Sequence, residues 1–384
     1  MSGFSFGFSG DDIDIDDSDI NVGEEGNVNS SLNNDDSLPE LVEAKRHEMG
    51  EWLPALPSQI SFNRLSINAS QDGTKRSLTL ARREVFDIRT QLMAEDSAGQ
   101  DNEELIAGLE EGDIKPRFYE GGFKTWECAL DLAKLVVNEQ GGMGSSETSN
   151  EWDENRHVIE LGAGTAIPSL ALFAQLLSQP APVESTTSQR KTHFTFADYN
   201  SAVLRLVTLP NLLLTWNNIV TRQTLAAPVD ADADSTQKSL DQEEELDITP
   251  ELLESFEKDL RQRSITVDFI SGAWSPAFVD LVFSANGQGT SKTLILASET
   301  IYSPSALGIF SETLLALLRR STTAKSKSRS LIAAKKVYFG VGGGVDEFLA
   351  VLRSIDQSVE VKQQLDVKYE GVGRVVLEIA EAGQ

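Results

Sequence analysis

Val158-Ile-Glu-Leu-Gly-Ala-Gly-Thr165 decides how the rest of the chain is read. A short apolar run closed by two glycines is a buried strand entering a tight turn. The next residues, 166–177, are apolar nearly throughout, with Pro168 in the first turn of a helix, where its missing N–H costs little. Strand, glycine turn and helix together open a doubly wound sheet. In such a sheet, ligands bind beyond the carboxyl ends of the strands, where strand order reverses.

Downstream the same alternation repeats. Residues 192–197, 265–270, 293–297 and 335–339 read as strands, and 201–217, 305–318 and 345–355 as helices. Pro210 is expected to kink or break the first of these helices. Residues 359–369 and 374–379 are closing strands joined by a short Gly-containing turn, hence an antiparallel hairpin. Upstream, 126–137 places Cys128, Ala129, Leu132, Leu135 and Val136 on one helical face. The fold class that follows is α/β, a mostly parallel sheet with helices on both faces.

The flanks differ in character. Residues 1–50 hold 13 acidic and two basic residues, and Phe4, Phe6 and Phe8 sit among Gly and Ser. Such a stretch buries too little apolar surface to offset the entropy of ordering. We read 1–75 as a disordered acidic region, in which the Phe residues are either a docking strand or the tip of a solvated tail. Residues 76–114 read as an extension packing on the core, with a strand or short helix over 78–93 and a loop over 94–113. The domain proper is 115–384. Its insertions near 178–191, 222–263 and 321–330 are polar, carry no motif and are expected to be solvated excursions, the second ending in a helix over 250–261.

With 384 residues, 40% of them hydrophobic, the chain can build one large domain. A net charge of −27 opposes direct binding to nucleic acid and favours a basic partner. One cysteine, Cys128, excludes a disulfide framework, and the scattered His47, His157 and His193 suggest no metal site. No membrane span or secretory leader is read. A monomer in cytoplasm and nucleus is the expectation.

Five segments carry candidate chemistry. At the first turn, a dinucleotide fingerprint lacks its third glycine, and Glu160 lies where a phosphate would be repelled. The sulfonium of S-adenosylmethionine suits an acid beside Gly162 and Gly164; a plain strand–helix turn is the alternative. In Phe196-Ala-Asp-Tyr-Asn200, Asp198 is placed to reach ribose hydroxyls, or else to cap the next helix. In Ile270-Ser-Gly-Ala-Trp274, Gly272 permits backbone approach and Trp274 either flanks an adenine or is simply buried. Ser298, Glu299 and Tyr302 emerge after the fourth strand, at the end that faces a reacting centre. Tyr338-Phe-Gly-Val-Gly-Gly-Gly-Val345 is either a loop closing over a peptide or a wide turn.

Taken in order, Tyr119-Glu-Gly-Gly-Phe-Lys-Thr-Trp-Glu-Cys128, Glu160-Leu-Gly-Ala-Gly164, Asp198-Tyr-Asn200, Leu209-Pro-Asn211, Gly272-Ala-Trp274, Ser298-Glu-Thr-Ile-Tyr302 and the 338–345 segment resemble the eukaryotic protein-histidine N-methyltransferases that modify a large-subunit ribosomal protein. The Phe-Ser-Phe-Gly-Phe start resembles the fungal members. The resemblance covers roughly 115–220 and 264–380. It implies a seven-stranded Rossmann-like methyltransferase fold, S-adenosylmethionine as cofactor and a basic ribosomal protein as substrate. It also implies a donor pocket of Thr125, Trp126, Glu127, Cys128, Ala129, Gly162, Asp198, Tyr199, Asn200, Gly272, Ala273, Trp274 and Ser298, to which the turn reading adds Glu160 and Gly164. The acidic insertion and the Ser/Lys loop depart from the family and leave the docking surface open.

A neutral imidazole is a competent nucleophile near pH 7, so such an enzyme needs alignment and a fixed tautomer rather than a strong base. Asn200, Glu299 and Tyr302 are the candidates to hold the second ring nitrogen. Two other readings compete. A lysine methyltransferase would need a proton acceptor, which Glu299 could be, and a non-catalytic acidic chaperone would only shield a basic ribosomal protein.

Overall fold

The computed structural model describes residues 42–71, 74–97, 105–106, 121–142, 155–179, 190–225, 244–284, 291–323, 328–340, 342–368 and 371–381. Its strands are β1 (Lys45–His47), β2 (Gln59–Gln71), β3 (Thr74–Arg83), β4 (Asn155–Leu161), β5 (Thr192–Asp198), β6 (Glu244–Asp247), β7 (Ile265–Ser271), β8 (Ser291–Ser298), β9 (Arg329–Lys335), β10 (Val359–Val367) and β11 (Arg374–Glu381). The longer helices are α1 (Val85–Ser97), α2 (Glu127–Gly142), α3 (Ile167–Leu177), α4 (Leu209–Leu225), α5 (Pro250–Gln262), α6 (Pro276–Ser284), α7 (Leu307–Ser321) and α8 (Val345–Ile355).

Eight strands form one sheet in the order β1-β7-β5-β4-β8-β9-β11-β10. The five central strands are parallel; β11 and β10 close one side antiparallel, and β1 adds an antiparallel edge to β7. The sequence expectation of seven strands is thus met, with β1 as an eighth. Strand order reverses between β4 and β8, which puts the switch point beside the glycine turn that leaves β4.

The central strands are apolar on both faces because both faces are covered. Val158, Phe194, Phe196, Val267, Phe269, Leu331 and Ala333 pack under α2, α3, α4 and α5. Their chain neighbours Ile159, Ala197, Ile270, Ile332 and Ala334 pack under α6, α7 and α8. A second sheet, β3-β2-β6, lies outside the first helix layer and adds Ile67 and Leu80 to its core. Among the described residues, no helix is long and apolar enough to cross a membrane.

Four expectations are corrected. Order does not begin at residue 76: β1 and β2 lie within 42–71, and β2 pairs along its length with β3. Period-two burial of Ile60 and Phe62 supplies the apolar face that average composition hides. Residues 78–93 are strand and helix in succession, and α1 runs on to Ser97. The insertion at 222–263 is partly structural. Its residues 244–247 add β6 to β2, with Ile60 opposite Leu246, and α5 buries Phe256 and Leu260 against Trp216. Finally, the strand expected at 335–339 is Arg329–Lys335. Ala333 and Ala334 are small enough for a strand covered on both sides, whereas Val337 and Phe339 are exposed. The Phe4–Phe8 segment and most of the other two insertions lie outside the described residues.

Candidate functional site

The turn after β4 is built by its glycines. Gly162 and Gly164 stand at φ +62° and +49°, and a Cβ on Gly162 would come within 2.8 Å of Thr300 Cγ2. Asp198, at the end of the neighbouring β5, braces this turn. Its Oδ2 accepts from Gly164 N (3.1 Å) and its Oδ1 from Asn200 N (3.1 Å). The helix-cap reading belongs instead to Asn200, whose Oδ1 accepts from Ala202 N at 2.9 Å. Asn200 is held to the backbone through its oxygen. Tyr199 between them is exposed.

Glu160 is not beside the turn but beneath it. Its Oε2 accepts from Ser169 N (3.1 Å) in the first turn of α3, and its Oε1 has no hydrogen-bond partner among the described residues. Burial raises its carboxyl to about 8, against the lowering effect of Ser169.

A second cluster gathers where α2 begins and β8, β9 and β11 pass. Glu299 sits at φ +55°, a left-handed conformation that costs a non-glycine residue about 1–3 kcal/mol. Glu299 N donates to Ala333 O (3.0 Å), which fixes that backbone on β9. The carboxylate is nearly buried; its Oε1 has no hydrogen-bond partner among the described residues and stands 4.0 Å from Lys335 Nζ. Burial first, and the neighbouring Glu299 charge second, hold the Cys128 thiol and the Tyr338 phenol in their protonated forms. Lys335 Nζ also lies 3.9 Å from Glu127 Oε2 and 5.5 Å above the Trp126 ring. Arg374 reaches Glu127 (3.5 Å) and Asp131 (2.6 Å). Thr125 Oγ1 donates to Thr165 Oγ1 (3.1 Å), tying the start of α2 to the glycine turn.

The structure thus brings together Thr125–Ala129, Gly162, Gly164, Asp198, Asn200, Ser298 and Glu299 around the carboxyl ends of β4, β5 and β8. Gly272 N donates to Asp198 O and Tyr199 O (both 3.1 Å), which joins the turn after β7 to the end of β5. A Cβ on Gly272 would meet Glu43 O at 2.5 Å, so the close backbone approach there comes from the chain's own edge segment, and Ala273 N donates to Val42 O. Trp274 is half-buried and packs on Phe310, with ring centroids 5.0 Å apart. The Gly342–Gly344 stretch is a pinned turn rather than a free flap: a Cβ on Gly343 would overlap Tyr302 O at 2.1 Å. Tyr302 in turn stands edge-on to Tyr338, with ring centroids 6.3 Å apart.

Sequence reasoning missed Lys335, Tyr338 and Arg374 as site residues. A charge closing the apolar run 331–334 is the signal that would have found Lys335. Two buried side-chain oxygens, Glu160 Oε1 and Glu299 Oε1, have no hydrogen-bond partner among the described residues.

No family model matches the chain. Histidine protein methyltransferase 1 of Saccharomyces cerevisiae is 33% identical over 367 residues, covering 91% of this chain and 90% of that protein. Its namesake in Schizosaccharomyces pombe is 31% identical over 376 residues, covering 98% and 92%. Among solved structures, magnesium protoporphyrin IX methyltransferase of Synechocystis with bound SAH is 12% identical, covering 77% of this chain and 100% of that one, with a TM-score of 0.33.

Proposed function

The chain belongs to the histidine protein methyltransferase family, and from that premise we propose that it moves a methyl group from S-adenosylmethionine to a ring nitrogen of a histidine in a basic ribosomal protein, in the cytoplasm and nucleus. When bound, the donor supplies a methyl carbon made electrophilic by positive sulfur. The chain's part is to hold and orient. The glycine turn and Asp198 form the floor for the nucleoside, and the start of α2, Thr125–Ala129, covers its charged end. Ser298 lines the edge between them.

Glu299 carries the reading of the acceptor side. It is a buried carboxylate on a strained backbone, beside protonated Cys128 and Tyr338, with one oxygen still free of hydrogen bonds. Such an oxygen accepts the N–H of an incoming neutral imidazole and leaves the other nitrogen, with its lone pair, for the methyl. Lys335 Nζ stands 4.0 Å from that carboxylate, and Tyr302 walls the opening. The product imidazolium returns its proton to water.

Radiolabelled donor, the full chain and an extract from cells lacking this protein test the reading together. Label is expected on a histidine of one basic ribosomal protein, located by mass spectrometry. Label on lysine, or binding of the protein without label, would overturn it. In the same assay Asp198→Ala is expected to abolish donor binding measured by calorimetry.

A further inference from the structure

The hydrogen bonds beneath the glycine turn lead out of the methyltransferase core and into the second sheet. Helix α4 is preceded by one π turn, Leu204–Thr208, and Pro210 follows it. A proline in a helix cannot donate and crowds the carbonyl four residues earlier, here that of Leu206. That carbonyl accepts instead from Arg83 Nη1 at 2.8 Å. The wider turn presents two side chains to the glycine turn. Thr208 Oγ1 donates to Gly164 O (2.7 Å) and Asn211 Nδ2 to Thr165 O (3.1 Å). Asn211 Oδ1 is then occupied by Arg83 N at 2.8 Å. Arg83, Thr208 and Asn211 are all at most 1% exposed.

Arg83 is the last residue of β3, and its guanidinium is held further by Asp87 and Gln91 of α1. A path of hydrogen bonds therefore runs from the end of the second sheet through Asn211 to Thr165 O, while Thr208 reaches Gly164 O from the π turn whose Leu206 carbonyl Arg83 holds. The same peptide plane that offers Gly164 O lies next to Gly164 N, which Asp198 holds from the other side. If the carbonyls lose their buried donors, the planes rotate and Gly164 N leaves Asp198.

We propose that Thr208 and Asn211 are positioning residues for the methyl donor, and that the β3-β2-β6 sheet, through Arg83, fixes the shape of the donor loop. This rests on the reading of Gly162–Thr165 as that loop. No contact between the sheet and the donor is required; the effect passes through the two buried side chains.

The test uses the full chain and S-adenosylhomocysteine as probe, by titration calorimetry at a temperature where circular dichroism shows each variant folded. Thr208→Val keeps the shape and loses the hydroxyl, and is expected to raise Kd about tenfold, the worth of one buried hydrogen bond to the loop. Thr208→Ser restores the donor group and is expected to return Kd to within about threefold of the native value, which a purely structural role would not produce. Asn211→Asp, which still accepts from Arg83 N but repels Thr165 O, is expected to weaken the probe at least as much as Thr208→Val. Asp198→Ala separates the two levels. Native affinity in Thr208→Val and Asn211→Asp, with binding lost in Asp198→Ala, overturns the positioning role alone. Native affinity in all three overturns the donor loop itself, and the positioning role with it.

Discussion

At the scale of single residues, Glu160 is where charge and burial are most opposed. Its carboxyl is raised to about 8 from an ordinary 4.5 by burial, so between those values the folded chain keeps a proton the unfolded chain has released. The stability this contributes is complete below 4.5 and declines as pH rises toward 8. Glu160→Gln keeps a carbonyl for Ser169 N and cannot ionise. It is expected to flatten that slope and to exceed the native chain at pH 8 by about 1 kcal/mol or more, measured as denaturant midpoints at pH 5 and pH 8. Parallel slopes would mean the side chain is already ionised in the fold. Glu299 makes a complementary case, in which the charge itself is used. Glu299→Gln leaves the shape and removes the charge that fixes the imidazole tautomer. A fall in kcat of about a hundredfold, with donor affinity within about threefold, is expected, and an unchanged kcat would dismiss Glu299 from the acceptor side. At Gly343 the constraint is purely steric: backbone atoms of Tyr302 lie within 2.4 Å of where a Cβ would sit. Gly343→Ala should therefore cost about 1–3 kcal/mol, read as a lowered thermal midpoint, whereas a mobile flap would absorb the methyl group without loss.

At the scale of elements, α5 decides whether the acidic insertion is decoration or structure. Thr249 caps it by accepting from Leu252 N (3.3 Å), Pro250 starts it, and Phe256 is fully buried against Trp216 at 5.3 Å. Phe256→Ala is expected to cost about 3–5 kcal/mol in urea unfolding; a solvated excursion would give nearly zero. The contrast with β4 explains what could be read from the sequence. Val158, Ile159 and Leu161 put apolar side chains on both faces of a short run bounded by glycine, so their strand is visible in isolation, and Gly162 and Asp198 follow from it. The second sheet is not visible that way. In β2 Ile60, Phe62 and Ile67 are buried without keeping one period of two, the averaged composition is polar, and β6 comes from nearly 180 residues later. Aromatic and β-branched preference drew the fifth strand onto 337–339, away from the alanines that a doubly covered strand needs. Lys335 and Thr208 escaped for a related reason, and Asn211 is legible only as part of the Leu209-Pro-Asn211 motif, without a role. Their roles depend on where a side chain points across two elements, and the π turn that aims Thr208 leaves no local signature beyond Pro210.

At the scale of the whole molecule, the two ends of the proposed reaction should respond to salt in opposite ways. The chain carries −27 net charge, while the proposed donor site is one glycine turn and the residues around it. Charges outside a buried site act over about 8 Å at physiological ionic strength and less at higher salt. A basic polypeptide gathered by the acidic surface therefore loses attraction as salt rises, with the loss falling on its association rate. The proposed donor side is held at short range by the glycine turn and Asp198 rather than by the surface charge, and so screens little. Raising salt from 50 to 500 mM is accordingly expected to increase KM for the basic protein substrate about tenfold or more, with Kd for S-adenosylhomocysteine changing less than about twofold. Steady-state kinetics on the protein substrate and calorimetry on the donor product measure the two independently. A protein KM indifferent to salt would place recognition in shape and apolar contact near Phe339 and Val337, the exposed residues on either side of Tyr338, and would take the acidic surface out of substrate capture.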